Sequence, residues 1–140
     1  MTMSPSMLAL VGFAAWFLLL AIWLLMFRTA LVLAGKFRAN AFKPAGEEGS
    51  AFMQRLCRAH ANCYENLPVF AAVILVATVT GNAAITDPLA RWVLVARVAQ
   101  STVHLLSTSE LAVMTRATFF AVQLSIEAYW IIQLGLLGFG

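Results

Sequence analysis

Long apolar runs alternate with short polar breaks along this chain. From Thr2 to Phe27 no residue is charged, and Leu, Ala, Phe and Trp dominate. At about 1.5 Å per residue, such a run crosses ~30 Å of hydrocarbon as a helix. Pro5 falls near its first turn, where a missing N–H is tolerated. With no basic start and no small-residue cleavage site, the run reads as a retained helix over about 6–34, not a signal peptide. A polar connection follows, roughly 36–50, with Pro44 and Gly46 as breakers. The pattern predicts further helices over about 52–79, 88–106 and 111–137, separated by GNAAITDP (81–88) and STSE (107–110). The expectation is one all-α domain over 1–140, a bundle of four transmembrane helices, without internal repeats.

Composition strengthens that reading. The chain is 62% hydrophobic and 11% charged, where a soluble domain carries about a quarter charged residues. The net charge of +3 comes without a basic stripe interleaved with aromatics, so no nucleic-acid partner is expected. The first and third connections, with their helix ends, hold Arg28, Lys36, Arg38, Lys43, Arg55, Arg58 and Arg116, and the opposite side has only Arg91. By the positive-inside rule those connections are cytoplasmic and both termini face outward. In a bacterial cell this would be the inner membrane.

Within the apolar runs the polar residues are periodic. Arg55, Arg58, Asn62 and Glu65 fall at i, i+3, i+7 and i+10, one face of the second helix. Arg97, Gln100, Ser101 and His104 form a comparable face on the third. Arg116, Gln123 and Glu127 do so on the fourth, with Phe120 on the same line. Polar faces in a membrane turn toward each other or toward a watery cavity. One reading is structural: Glu65 and Glu127 neutralise Arg97 or Arg58. The other is functional, because near Arg38, Arg58, Asn62 and Arg116 the cations outnumber the acids, which suits an anionic ligand. Arg28 and Lys43 read as basic residues snorkelling at helix ends.

Other features narrow the chemistry. Cys57 and Cys63 lie six apart, about 120° and roughly 9 Å on a helix, too far for a mutual disulfide. No His, Cys, Asp or Glu spacing resembles a metal site. Pro68 inside the second helix removes a hydrogen bond to the Tyr64 carbonyl and predicts a bend. His60 points away from the Arg58/Glu65 line. Trp16, Trp23, Trp92 and Trp130 read as membrane-facing packing or belt residues.

The stretch RLCRAHANCYENLPVF (55–70) carries the pattern R-x-x-R-A-H-x-N-x-x-E-x-x-P through Arg55, Arg58, Ala59, His60, Asn62, Glu65 and Pro68. This resembles the second helix of the MAPEG family, the membrane-associated proteins of eicosanoid and glutathione metabolism, in a bacterial-type homologue of the microsomal glutathione transferases. The resemblance extends to a basic first connection, an Arg within helix three (Arg97) and an Arg opening helix four (Arg116). It implies a homotrimer with a site between subunits, open to the cytoplasm. It also implies glutathione as co-substrate, a hydrophobic or lipid-derived partner substrate delivered by the bilayer, and no metal. On this chain it assigns glutathione binding to Arg38 at the end of helix one, to Arg58, Asn62 and Glu65, and to Gln100 and His104. Arg116 would stabilise the glutathione thiolate. Arg97 and Glu127 are left to a structural polar network.

A free thiol with pKa about 8.5 is only a few per cent ionised at pH 7, so a two-unit drop is what activation requires. The thiolate would attack an electrophile or reduce a lipid hydroperoxide, making the chain a glutathione transferase or peroxidase. The chain also departs from the family. Gln100 and His104 stand where its enzymes usually carry Tyr or His, then Tyr. Ala61 and Phe120 replace an Arg and an aromatic hydroxyl found in other members. A non-catalytic lipid or glutathione binding protein is the alternative. A small multidrug transporter is disfavoured, because helix one holds no carboxylate and the basic cluster repels cations.

Overall fold

The structure, a computed structural model, describes residues 2–140. Four helices account for most of it: α1 (Pro5–Leu33), α2 (Ala51–Val79), α3 (Asp87–Leu106) and α4 (Glu110–Phe139). Three begin alike. The side chains of Ser4, Ser50 and Ser109 accept the N–H of Met7, Met53 and Ala112 at 3.2, 3.2 and 3.3 Å. Each such cap contributes about 1 kcal/mol by satisfying an otherwise orphan donor. The ends of α1 and α2 also share a device. Gly35 and Gly81 take φ of +68° and +74°, a left-handed turn that side-chain-bearing residues resist. The following N–H groups of Lys36 and Asn82 then reach back to the carbonyls of Leu31 and Ala77 at 3.0 and 2.7 Å.

The close of α1 at Leu33, near the expected boundary, corrects the placing of one residue. Arg38 is not at a helix end but five residues beyond it, exposed in the first connection, where its carbonyl accepts from the Ala41 N–H at 3.0 Å. Nor does Arg116 open α4. The helix begins at Glu110, so Arg116 lies nearly two turns inside it. α2 runs unbroken through Pro68, whose ring is exposed.

α1, α2 and α4 are each long and apolar enough to cross a membrane. α3 has 20 residues, enough to match the hydrocarbon thickness, but it is the polar helix of the four. It packs against all three others, and its polar residues Arg97, Gln100, Ser101 and His104 are buried. The protein is therefore an all-α membrane bundle wrapped around its most polar helix. Leu8, Leu18, Leu25, Val76, Ile132 and many other apolar side chains stay exposed, the surface a bilayer requires.

The core is aromatic at its centre. The Phe13 and Phe70 rings stack at 5.3 Å, and Phe70 meets Trp130 at 6.1 Å. Trp130 is fully buried, so it is a core residue and not a membrane-facing one; its place is set by Phe70, 60 positions away. Lipid tails are as apolar as this core, so close packing and interhelical hydrogen bonds must fix the arrangement.

At the end opposite the first and third connections, one such set of bonds joins α1 to α3. The Ser6 N–H and Oγ–H both donate to Asp87 Oδ1, at 3.0 and 2.6 Å, and Ser6 Oγ lies 2.7 Å from Thr86 Oγ1. Ser6 N–H is one of the first-turn donors that a helix leaves free, and the Asp87 carboxylate satisfies it.

Candidate functional site

The three polar faces meet where α2, α3 and α4 converge near the first and third connections. Asn62 on α2, Gln100 on α3 and Arg116 on α4 line one cavity of about 240 Å³. Its remaining wall is apolar and belongs to α4: Val113, Ala117 and Phe120, spaced i, i+4, i+7. His104, buried one turn from Gln100, brings Nδ1 to 3.3 Å from Asn62 Nδ2. Behind Gln100, its Oε1 accepts from Gln123 Nε2 at 2.9 Å, and Gln123 also donates to the Phe119 carbonyl at 2.9 Å. Gln100 is thereby held with its amide group turned by a buried partner.

Arg58 lines a second cavity of about 170 Å³ together with Arg55 and Thr108. The two arginines behave differently. Arg55 Nε donates to the Leu105 carbonyl at 2.8 Å, tying α2 to the last turn of α3. Arg58 is exposed, with its guanidinium unspent on the protein. Arg55, Arg58 and Arg116 all lie within electrostatic reach of His104. Among the described residues the only ion pair is Lys43–Glu47 at 3.6 Å, exposed and one helical turn apart in sequence. The three guanidinia at this mouth therefore have no carboxylate partner. The expected pairing of Glu65 or Glu127 with Arg97 or Arg58 is not made at salt-bridge distance. Glu127 is instead engaged by Asn66, and Arg97 grips the Asn62 backbone carbonyl at 3.1 Å.

Of the residues singled out from sequence, Asn62, Gln100, His104 and Arg116 are brought together, with Arg58 beside them. Glu65 sits exposed on α2, one turn past Asn62, and Arg38 lies apart in the first connection. Arg28 does not snorkel freely. Its Nη2 donates to the Lys43 carbonyl at 2.9 Å, and its guanidinium covers the Phe42 ring at 5.3 Å, closing the first connection onto α1. His60 stacks on Phe17 at 5.0 Å and faces a separate cavity of about 330 Å³ with Arg28, Cys57 and Tyr64. That cavity holds none of the candidate ligand-binding residues. Cys57 and Cys63 are both free and buried.

Three buried polar residues, Ser6, Asn66 and Thr86, are not singled out by the sequence pattern. Asn66 donates to Glu127 Oε1 at 3.1 Å, and the Ser6–Asp87 contact closes the far end. The signal for Asn66 was its position four after Asn62, on the inward side of the same helix. No group of three or more metal-ligating side chains occurs among the described residues. A sequence model of the MAPEG family matches residues 6–136. No curated protein and no solved structure matches the chain.

Proposed function

The chain belongs to the MAPEG family, and from that premise we propose that it is a membrane-embedded glutathione-dependent transferase or peroxidase. The observation that carries this reading is the shared cavity of Asn62, Gln100 and Arg116, with one polar side chain from each of three helices and an apolar wall beside Arg116 on α4. Glutathione has two carboxylates suited to guanidinium forks, and Arg58 and Arg38 are the cations left free to meet them. Its amine suits Glu65, and its peptide groups suit Asn62, Gln100 and His104.

Arg116 is assigned the thiol. Lowering a thiol pKa by two units takes about 2.8 kcal/mol of preferential thiolate stabilisation. A unit charge about 4 Å away contributes about 4 kcal/mol at an effective dielectric near 20, so one guanidinium is enough. The Arg116 Nε is shielded from solvent and has no partner in the protein, which leaves it available to a sulfur anion. The thiolate would then attack a hydrophobic electrophile, or the outer oxygen of a lipid hydroperoxide, presented along Val113, Ala117 and Phe120.

Arg58 and Glu65 face outward from a single protomer, and Arg38 lies away from the mouth. A homotrimer, in which a neighbouring subunit closes the site, accommodates all three. The clustering of basic residues supports cytoplasmic first and third connections, with both termini outside. One feature favours a non-catalytic binding protein instead: Gln100, His104 and Phe120 leave the cavity wall without a phenol.

The test is the ultraviolet thiolate band of glutathione mixed with purified protein near neutral pH. A band that appears with the native chain and vanishes in Arg116→Ala is expected. Saturable binding without thiolate would establish the non-catalytic reading, and a band indifferent to Arg116 would overturn the activation mechanism.

A further inference from the structure

Of the lysine, arginine, aspartate and glutamate side chains among the described residues, only Arg97 and Glu127 are buried, at 0% and 2% exposure. Both lie just beneath the cavity. Arg97 sits between the rings of Phe13 and Phe120, 5.4 and 6.0 Å from their centroids, and donates Nη1 to the Asn62 carbonyl. That carbonyl belongs to the interior of α2, so the bond pins the helix at the residue whose side chain lines the cavity. One turn further along α2, Asn66 donates to Glu127 on α4. Arg97 Nε and Nη2, and Glu127 Oε2, are shut off from solvent without another protein partner. A charge so placed is tolerated only when a group of opposite sign answers it. Glu127 is the sole buried acid available to Arg97, and the two lie within electrostatic reach.

We propose that Glu127 is a positioning residue for the ligand site: it holds Asn66 directly and Arg97 by charge, and through both it sets where α2 presents Asn62. Glu127 touches no ligand. Its effect is exerted through the rotation and depth of α2 relative to α3 and α4. This inference rests on the reading of Asn62 as a glutathione-binding residue.

The experiment measures glutathione affinity by calorimetry on the detergent-solubilised full chain, with thermal unfolding recorded for every variant. Glu127→Leu removes both tethers and is expected to weaken binding about tenfold, the loss typical of one well-placed polar contact. Glu127→Gln keeps an acceptor for Asn66 and loses only the charge, so a smaller loss, about threefold, is expected. The double variant with Asn62→Ala should bind no more weakly than Asn62→Ala alone, because both changes remove the same contact. Ile74→Ala, buried elsewhere on α2, lowers the unfolding temperature and leaves affinity within about twofold.

Additive losses would overturn the inference, as would an affinity that simply follows unfolding temperature through Ile74→Ala. Native binding with unchanged affinity in Glu127→Leu would overturn the inference alone. Absence of glutathione binding by the native chain would overturn the underlying reading with it. Should Glu127→Leu fail to fold, Asn66→Ala and Glu127→Gln carry the same comparison.

Discussion

The two ends of the bundle are both polar, and they use polarity in opposite ways. At one end Ser6, Thr86 and Asp87 satisfy one another, with two donors and a carboxylate closed into a compact set. At the other, Arg55 is tied to a backbone carbonyl, but Arg58 and Arg116 have no carboxylate within salt-bridge distance. The first arrangement is complete as it stands and behaves as a clamp between α1 and α3. The second leaves its guanidinia free, as the proposed anionic ligand would require. A membrane protein gains nothing in stability from unmatched cations, so surplus charge at a helical mouth marks a binding site more reliably than polarity alone.

Five substitutions or conditions probe the difference between the two ends. The largest effect is expected from Arg116→Ala, which should lower kcat/KM toward a model electrophile about 100-fold by removing thiolate stabilisation, while thermal unfolding stays nearly unchanged. Asp87→Ala should do the reverse. It opens the clamp and costs about 1–3 kcal/mol of stability, read from thermal unfolding, and leaves glutathione affinity as it was. Arg58→Ala, at an exposed position, should weaken glutathione binding about tenfold by calorimetry without lowering the unfolding temperature. Raising ionic strength from about 0.05 to 0.5 M should weaken binding several-fold and leave the clamp intact, because the mouth is open to counterions. Smallest of all, Lys43→Ala breaks only the exposed pair with Glu47, and should shift stability by less than about 1 kcal/mol. A salt effect on stability equal to that on binding would erase the distinction between the ends.

Much of the fold could be read from the sequence because its punctuation is local. Helix starts lie at Ser4, Ser50 and Ser109, and two helix ends lie just before Gly35 and Gly81, so each boundary falls within a residue or two of the apolar pattern. Membership in the family was equally legible, carried by the spacing from Arg55 to Pro68. The convergence of Asn62, Gln100, His104 and Arg116 followed from stripes at helical spacing, which any apolar environment drives inward. Pairings between distant helices were not legible. Asn66 and Glu127 are 61 positions apart and Ser6 and Asp87 are 81 apart, and nothing in either segment names its partner. The placing of Arg38 at the end of helix one fails because the left-handed turn at Gly35 closes α1 with its apolar run and leaves Arg38 in the connection. Trp130 was assigned to the lipid face because indole is common at interfaces, whereas here it fills the space beside Phe70.

The apolar wall formed by Val113, Ala117 and Phe120 has a kinetic consequence. All three are exposed on the flank of α4 in the single protomer, so on the proposed reading the cavity would be reachable from hydrocarbon as well as from water. A greasy compound arriving by that route meets the protein at a concentration fixed by its partition into the bilayer. Diluting the protein with extra lipid would then slow turnover even at constant total substrate. The thiol-bearing peptide, arriving from water, would be indifferent to that dilution.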